Sequence, residues 1–322
     1  LFSGGNAQSV TMPTAGNFNT LTINKSDNTW STATTAAAST ANLSLQGAGT
    51  ITFTGDFDVT GSFSNPGSTA SILFTGDGSR IDPAATFLTT GTVTIGNDSA
   101  DTLTFAGGFT HEAGSTVLAG TLRTENTLAR VQNLQLGANA TIDTGAGPGN
   151  IEIEGNVTIA VASTLQLAAG TGNIEVTGTA GTLTSFTVTS ANNAIFRNNI
   201  TTNGAGGLAI TATNIRLDGL TINTNTGNGT VTFNGPVQID DTLIITRGTG
   251  LVQFNSPVTS EAGESNPLTI DGTGGGQIAF NDTVGSGPGQ ALGAMIISTT
   301  TGITATSSIN AASFTQSAGT GT

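Results

Sequence analysis

Apolar and polar positions along this chain repeat with a long period. Val231-Thr-Phe233-Asn-Gly-Pro-Val237, Val252-Gln-Phe254-Asn-Ser-Pro-Val258 and Ile278-Ala-Phe280-Asn-Asp-Thr-Val284 are one unit written three times, with starts 21 and 26 residues apart. Inside each copy the apolar residues alternate with polar ones. That puts two or three side chains on one face of a strand before an Asn/Gly/Pro cluster turns the chain. A second strand precedes each copy, at Leu220-Thr-Ile222, Leu243-Ile-Ile245 and Leu268-Thr-Ile270, spaced 23 and 25 residues. The pattern predicts two strands per period.

So short a unit cannot bury its own apolar face, whereas stacked copies bury one continuous core. Upstream, Ile51-Thr-Phe53, Ile72-Leu-Phe74 and Val93-Thr-Ile95 start 21 residues apart twice in succession, and two of them continue as Thr-Gly-Asp, at 54–56 and 75–77. Further strands are expected at Leu103–Phe105, Val117–Leu122, Leu134–Leu136, Ile151–Ile153, Ile174–Val176 and Leu208–Ile210. The fold class is therefore all-β, a parallel β-helix (β-solenoid) of about 14 coils, each of roughly 21–26 residues. At ~4.8 Å between strands such a body is about 65–70 Å long. Helical periodicity is absent, and glycine and β-branched residues form helices poorly.

Residues 1–322 read as a single continuous solenoid segment with one interruption. Between 24 and 41 the sequence turns to Ser, Thr, Ala and Asp around Trp30 and loses its alternation, which predicts a loop extruded from a coil, with Trp30 as its anchor. Ile210-Thr-Ala-Thr213 and Ile303-Thr-Ala-Thr306, 93 residues apart, predict a super-repeat of about four coils. Gly319–Thr322 resembles Gly227–Thr230, after which a strand begins, so another strand is expected beyond Thr322 and the chain reads as part of a longer repeat protein.

Composition narrows the partners. Charged residues are 8% of the chain, and 20 acids against 7 bases give a net charge of −13. Without clustered Lys/Arg to neutralise phosphates, nucleic acid is not an expected partner. No apolar run reaches the roughly 18 residues of a membrane helix. One Trp and no Tyr cannot build the aromatic girdles of a membrane barrel. Cysteine is absent, so stability has to come from stacking and backbone ladders. The 46 glycines would suit a disordered chain, but the periodic apolar face does not.

Candidate chemistry is sparse. His111 is the single histidine, and with Glu112 it reads as an exposed turn residue. Asp240-Asp241, Asp218 and Asp271, with Arg216 and Arg247 nearby in sequence, fall in successive coils and are the best candidates for a glycan-cleaving carboxylate pair. The Asp pair also sits where turn residues belong, and aromatic residues to line a sugar cleft are few. Asp56, Asp58, Asp77 and Asp82 offer oxygen ligands of the kind Ca²⁺ takes, but neither the β-roll nonapeptide nor EF-hand spacing is present, so they read as turn and capping carboxylates. Gly272–Gln277 and Gly285–Gly289 lack the Lys-Ser/Thr of a phosphate loop and read as tight turns. Glu152 and Glu175 lie on outward strand faces. No catalytic, cofactor or metal residue is assigned and no enzyme activity is expected, with a β-helix polysaccharide lyase or glycoside hydrolase, or a passive scaffold presenting the 24–41 loop, as alternatives. Asn234, Asn255 and Asn281 occupy equivalent turns and are expected to form an amide ladder if their coils are in register.

The units at 231–237 and 252–258 and the intervening Leu-Thr-Ile strands resemble the repeats of large exported bacterial adhesins, the filamentous haemagglutinin-like and autotransporter passenger proteins. The resemblance covers most of the chain, through motifs that any β-helix selects. It implies export across an outer membrane to the cell surface, a right-handed parallel β-helix shaft and a structural or adhesive role. Surface glycans or proteins of a host or neighbouring cell, and other copies of the chain end to end or side by side, are then the expected partners.

Overall fold

The computed structural model describes residues 1–12, 17–26, 29–34, 38–298 and 300–317. Among the described residues there are strands and turns but no helix, and they wind into parallel stacked coils of a β-solenoid, about 14 turns. The chain divides into two compact units, Leu1–Ser163 and Thr164–Thr322.

In the second unit a coil carries three strands where two were expected. Val231–Asn234, Val237–Ile239 and Leu243–Arg247 precede Val252–Phe254, which opens the next coil. Val237–Ile239 escapes sequence reading because it follows the Asn-Gly-Pro cluster directly, and Pro236 disguises the strand as the tail of a turn. Equivalent strands pair in parallel and in register. Val231 stands against Val252 and Val252 against Ile278, Val237 against Val258, and Leu243 against Leu268.

This register stacks like on like. Phe233 lies 4.9 Å from Phe254 at 19°, and Phe254 lies 5.2 Å from Phe280 at 5°. All three rings are fully buried, and burial of each contributes on the order of 1.5–3 kcal/mol. The 26-residue coil is longer mainly because its chain bulges between Ser260 and Leu268, where its neighbour needs only Asp240 to Thr242. Extra residues are placed outside the stack, so the inward columns continue unbroken.

The super-repeat is met only in part. Leu208 stacks through Val231, Val252 and Ile278 to Ile303, four coils on. Ile210, however, belongs to the Phe233, Phe254, Phe280 and Ala305 column. The two matching segments are therefore offset by two residues, a shift that keeps each side chain on its own face.

In the first unit Ile51, Ile72 and Val93 stack in register, and Phe53 and Phe74 lie parallel at 4.9 Å. The turns at 54–56 and 75–77 lie one above the other: Thr75 N–H donates to Phe53 O at 2.9 Å, and Gly78 N–H donates to Asp56 Oδ1 at 2.8 Å. The expected extruded loop is corrected here. Within 24–41, Trp30–Thr34 is a strand paired on one side with Gln8–Met12 and on the other with Thr50–Phe53, between the strands Asn17–Lys25 and Ala38–Gly47. Trp30 is a core residue, 1% exposed, with its ring edge-on to Phe53 at 5.3 Å. The Ser/Thr/Ala run around it hid the strand because the indole supplies most of the apolar bulk. Residues 27–28 and 35–37 lie outside the described residues, as do 319–322, on which the expectation of a following strand rests.

Candidate functional site

Outward-facing polar side chains of the second unit are tied from coil to coil. The expected amide ladder forms: Asn281 Nδ2 donates to Asn255 Oδ1 at 2.7 Å, Asn255 Nδ2 to Asn234 Oδ1 at 2.7 Å, and Asn234 Nδ2 to Thr211 Oγ1 at 3.2 Å. A second ladder, missed in the sequence, runs from Asn214 to Asn193 at 3.1 Å and from Asn193 to Asn173 at 2.7 Å. Its only signal was the recurrence of Asn at 173, 193 and 214, just before or at the first residue of successive strands.

The candidate carboxylates belong to the same bracing. Asp218 and Asp240 do lie in successive coils, their N–H groups donating to Phe196 O and Leu217 O. Each is held by a guanidinium. Arg197 donates through Nε to Glu175 at 2.8 Å and through Nη1 to Asp218 at 2.7 Å, and the hydrogen bond to Glu175 raises the Arg197 pKa. Arg216 holds Asp240 through Nε at 2.9 Å and Nη2 at 2.6 Å. Gln238 adds a third donor to Asp240 at 2.7 Å, whose side chain is only 6% exposed. Asp241 is exposed and accepts from Thr242 N–H. Asp271 stands on a different face, on the Leu268–Gly272 strand, where it accepts the Ser298 hydroxyl. The structure thus brings Asp218 and Asp240 together with Arg197 and Arg216, and leaves Asp241, Asp271 and Arg247 apart from them.

In the first unit, Glu152 pairs with Arg130 across one coil at 2.6 Å. Arg80 spans two coils to grip both oxygens of Glu125, at 2.7 and 3.1 Å, and also holds Asp82 at 2.6 Å. This contact lowers the Glu125 pKa and raises that of Arg80. Of the carboxylates considered for Ca²⁺, Asp82 is thereby ion-paired and Asp56 caps the next turn. Asp58 accepts from Arg80 N–H, and burial raises its pKa. Asp77 is raised by the negative charge of Asp101, while Asp101 itself accepts from the N–H groups of Asn97 and Asp98. Among the described residues no three His, Cys, Asp or Glu side chains gather as a metal-binding group.

His111 is not the exposed turn residue expected. It ends the strand Phe109–His111 and is fully buried. Nε2–H donates to Thr89 O at 3.1 Å, so Nδ1 is left to accept from the Thr116 hydroxyl at 2.9 Å. Burial pushes its pKa below the ordinary 6.5. Above pH 6.5 the imidazole is neutral in folded and unfolded chains alike and stability does not depend on it. Below that, the unfolded chain takes up a proton that the folded one resists, so stability falls with pH. Urea unfolding is expected to show wild type losing stability between pH 7.5 and 5.5. His111→Gln should start about 1–3 kcal/mol less stable, because two buried partners lose their geometry, and should fall less over that interval. An unchanged pH dependence in the variant contradicts the assignment.

Arg247, expected beside the candidate carboxylates, instead points inward at the end of its strand and is fully buried. Its Nη1 donates to Gly248 O at 3.3 Å and Gly250 O at 3.4 Å, and burial lowers its pKa. The glycine-rich stretch 272–277 explains how it fits. A Cβ at Gly276 would lie 2.4 Å from Arg247 Nη1 and 2.4 Å from Gly250 O, and one at Gly272 would lie 3.3 Å from Arg247 Cγ. The expected turn is confined to Thr273-Gly274, since Gly272 ends one strand and residues 275–277 open the next, and Gly272 and Gly276 leave room for the guanidinium of the preceding coil. At 285–289 three glycines with φ of +68°, +108° and +68° make the other expected turn.

One open concavity of about 520 Å³ lies on the outward face of the second unit, with Asn193, Asn214, Arg216, Gln238, Thr259 and Glu261 among its lining residues. The fold and these contacts define the class of protein: a parallel β-solenoid whose polar side chains link coil to coil. No protein-family model, characterised protein or solved structure matches the chain.

Proposed function

We propose that this chain is a non-enzymatic, structural and adhesive fibre segment of a large exported bacterial surface protein, acting outside the cell and carrying no cofactor. The observation that carries the reading is where the polar side chains spend their hydrogen bonds. Arg80–Glu125, Arg130–Glu152, Glu175–Arg197–Asp218, Arg216–Asp240 and the two asparagine ladders each join residues of different coils. Apart from Arg216–Asp240, whose carboxylate is buried, these ion pairs are partly exposed and individually weak, but repeated in a stack they add to backbone ladders already present. A carboxylate held by a guanidinium and a carboxamide is poorly suited to proton transfer, which needs a group of tuned pKa free to reach its substrate. The resemblance of the 231–258 units to haemagglutinin-like repeats agrees with this role, with glycans or proteins of a host or neighbouring cell as partners.

The test is turnover. The fragment incubated with a panel of polysaccharides is expected to release no reducing ends or unsaturated products. Cleavage abolished by Asp240→Asn or Asp241→Asn would establish a glycan-active enzyme in its place.

A further inference from the structure

The concavity on the second unit is where the coil-to-coil bracing stops. The Asn173, Asn193, Asn214 ladder is broken by Pro236: Asn214 precedes Ile215, Pro236 precedes Val237, and Ile215 and Val237 are register partners. A proline side chain cannot continue an amide ladder, so Asn214 keeps its Oδ1 and one N–H uncommitted at the edge of the groove. On the floor, Arg216 spends Nε and Nη2 on Asp240 and keeps Nη1. Gln238 spends Nε2 on the same carboxylate and keeps its Oε1. On the far side, the Glu261 carboxylate makes no ion pair or hydrogen bond among the described residues, although Asp240 and Asp218, its counterparts one and two coils back, are both engaged. Donors and acceptors left over by three successive coils therefore converge on one open space.

We infer that this groove binds a neutral, hydroxyl-rich oligosaccharide, an inference that rests on the adhesive reading and assigns it a site. Unspent donors and acceptors at about one per coil suit a ligand that presents hydroxyls at intervals. Four coils at ~4.8 Å give a trough about 14 Å long, room for a few sugar rings. The lining is polar, unlike the apolar walls that hold drug-like molecules. Charge selects the class. Between Glu175 and Glu261 this face presents two guanidiniums, Arg197 and Arg216, against the four carboxylates Glu175, Asp218, Asp240 and Glu261, on a chain of net charge −13. A uronic acid or sulfated chain would meet an uncompensated negative field.

The experiment uses the whole 322-residue chain on immobilised neutral hexose oligosaccharides and uronic-acid oligosaccharides of matched length, and in parallel on intact host and bacterial cells. The neutral set is expected to retain wild type at least about tenfold better than the acidic set, and Asn214→Ala/Thr259→Ala to lose about tenfold or more of that retention. The melting temperature of the double variant should stay within a few degrees, since both side chains lie at the surface. Glu261→Gln should bring the acidic set closer to the neutral one. Retention of the acidic set in preference, or a double variant that binds sugars as well as wild type, overturns the groove assignment. If wild type and double variant adhere to cells equally, the groove is wrong and the adhesive reading stands. Wild type that adheres to no cell and no glycan removes both.

Discussion

Phe254→Ala is expected to cost about 3–5 kcal/mol of unfolding free energy, the range for emptying the site of a fully buried phenylalanine. The ring is the middle member of the Phe233, Phe254, Phe280 stack, with a neighbour at about 5 Å on each side. Its removal opens a void that two facing rings line, and neither can move in without leaving its own column. Because each coil rests only on its neighbours, the loss should be local as well as large. Hydrogen exchange is expected to accelerate in the strands Val231–Asn234, Val252–Phe254 and Gly275–Phe280 before it does in the first unit. Phe254→Leu, which refills part of the volume, should recover a substantial share. A variant within 1 kcal/mol of wild type would mean that the ring is not stacked between its neighbours, since a void of that size is not that cheap.

Gly276→Ala is the second large effect, expected at about 3 kcal/mol. The added methyl would meet Gly250 O, a backbone atom fixed in the preceding coil, as well as the Arg247 guanidinium. The two contacts are separable. Arg247→Met removes the guanidinium and its desolvation cost and should be tolerated, as hydrophobic replacements of buried ions often are. Gly276→Ala placed in the Arg247→Met background should then recover only part of its loss, because Gly250 O remains. Chemical denaturation of the two single variants and the double reads this directly. Full recovery would show that the glycine serves the arginine alone, and no recovery that it serves the backbone alone.

The coils were legible because the period is written in bulky residues. Phe233, Phe254 and Phe280 recur behind Val or Ile and ahead of Asn, and a parallel stack places each on the last. What was not legible has physical reasons. The strand Val237–Ile239 follows an Asn-Gly-Pro cluster without a gap, so it looks like the tail of a turn. Trp30 sits among Ser, Thr and Ala, so its strand looks like a loop, although one indole supplies the bulk that two aliphatic residues supply elsewhere. His111 read as an exposed turn residue and Arg247 as a neighbour of the candidate carboxylates, because polarity normally marks the surface, yet both end strands where an inward side chain meets backbone carbonyls. The ion pairs of the outward face were invisible in part because they join residues 21–24 apart and, for Arg80 and Glu125, 45 apart. Only the coil register brings those positions together. Asp240 looked like half of a carboxylate pair with Asp241, and only the register shows that its partner is Arg216.

That register is most directly tested by cysteine pairs, which the cysteine-free chain allows without background. Thr232 and Gln253 are partners on adjacent coils, both facing outward. At about 5 Å between Cα atoms they suit a disulfide. Thr232→Cys/Gln253→Cys is expected to oxidise almost completely to an intramolecular disulfide with no loss of stability. Thr232→Cys/Thr259→Cys, whose second position lies on another face, should keep two titratable thiols. Free thiols in the first pair under the same oxidant, or a disulfide in the second, would contradict the stacking of these coils.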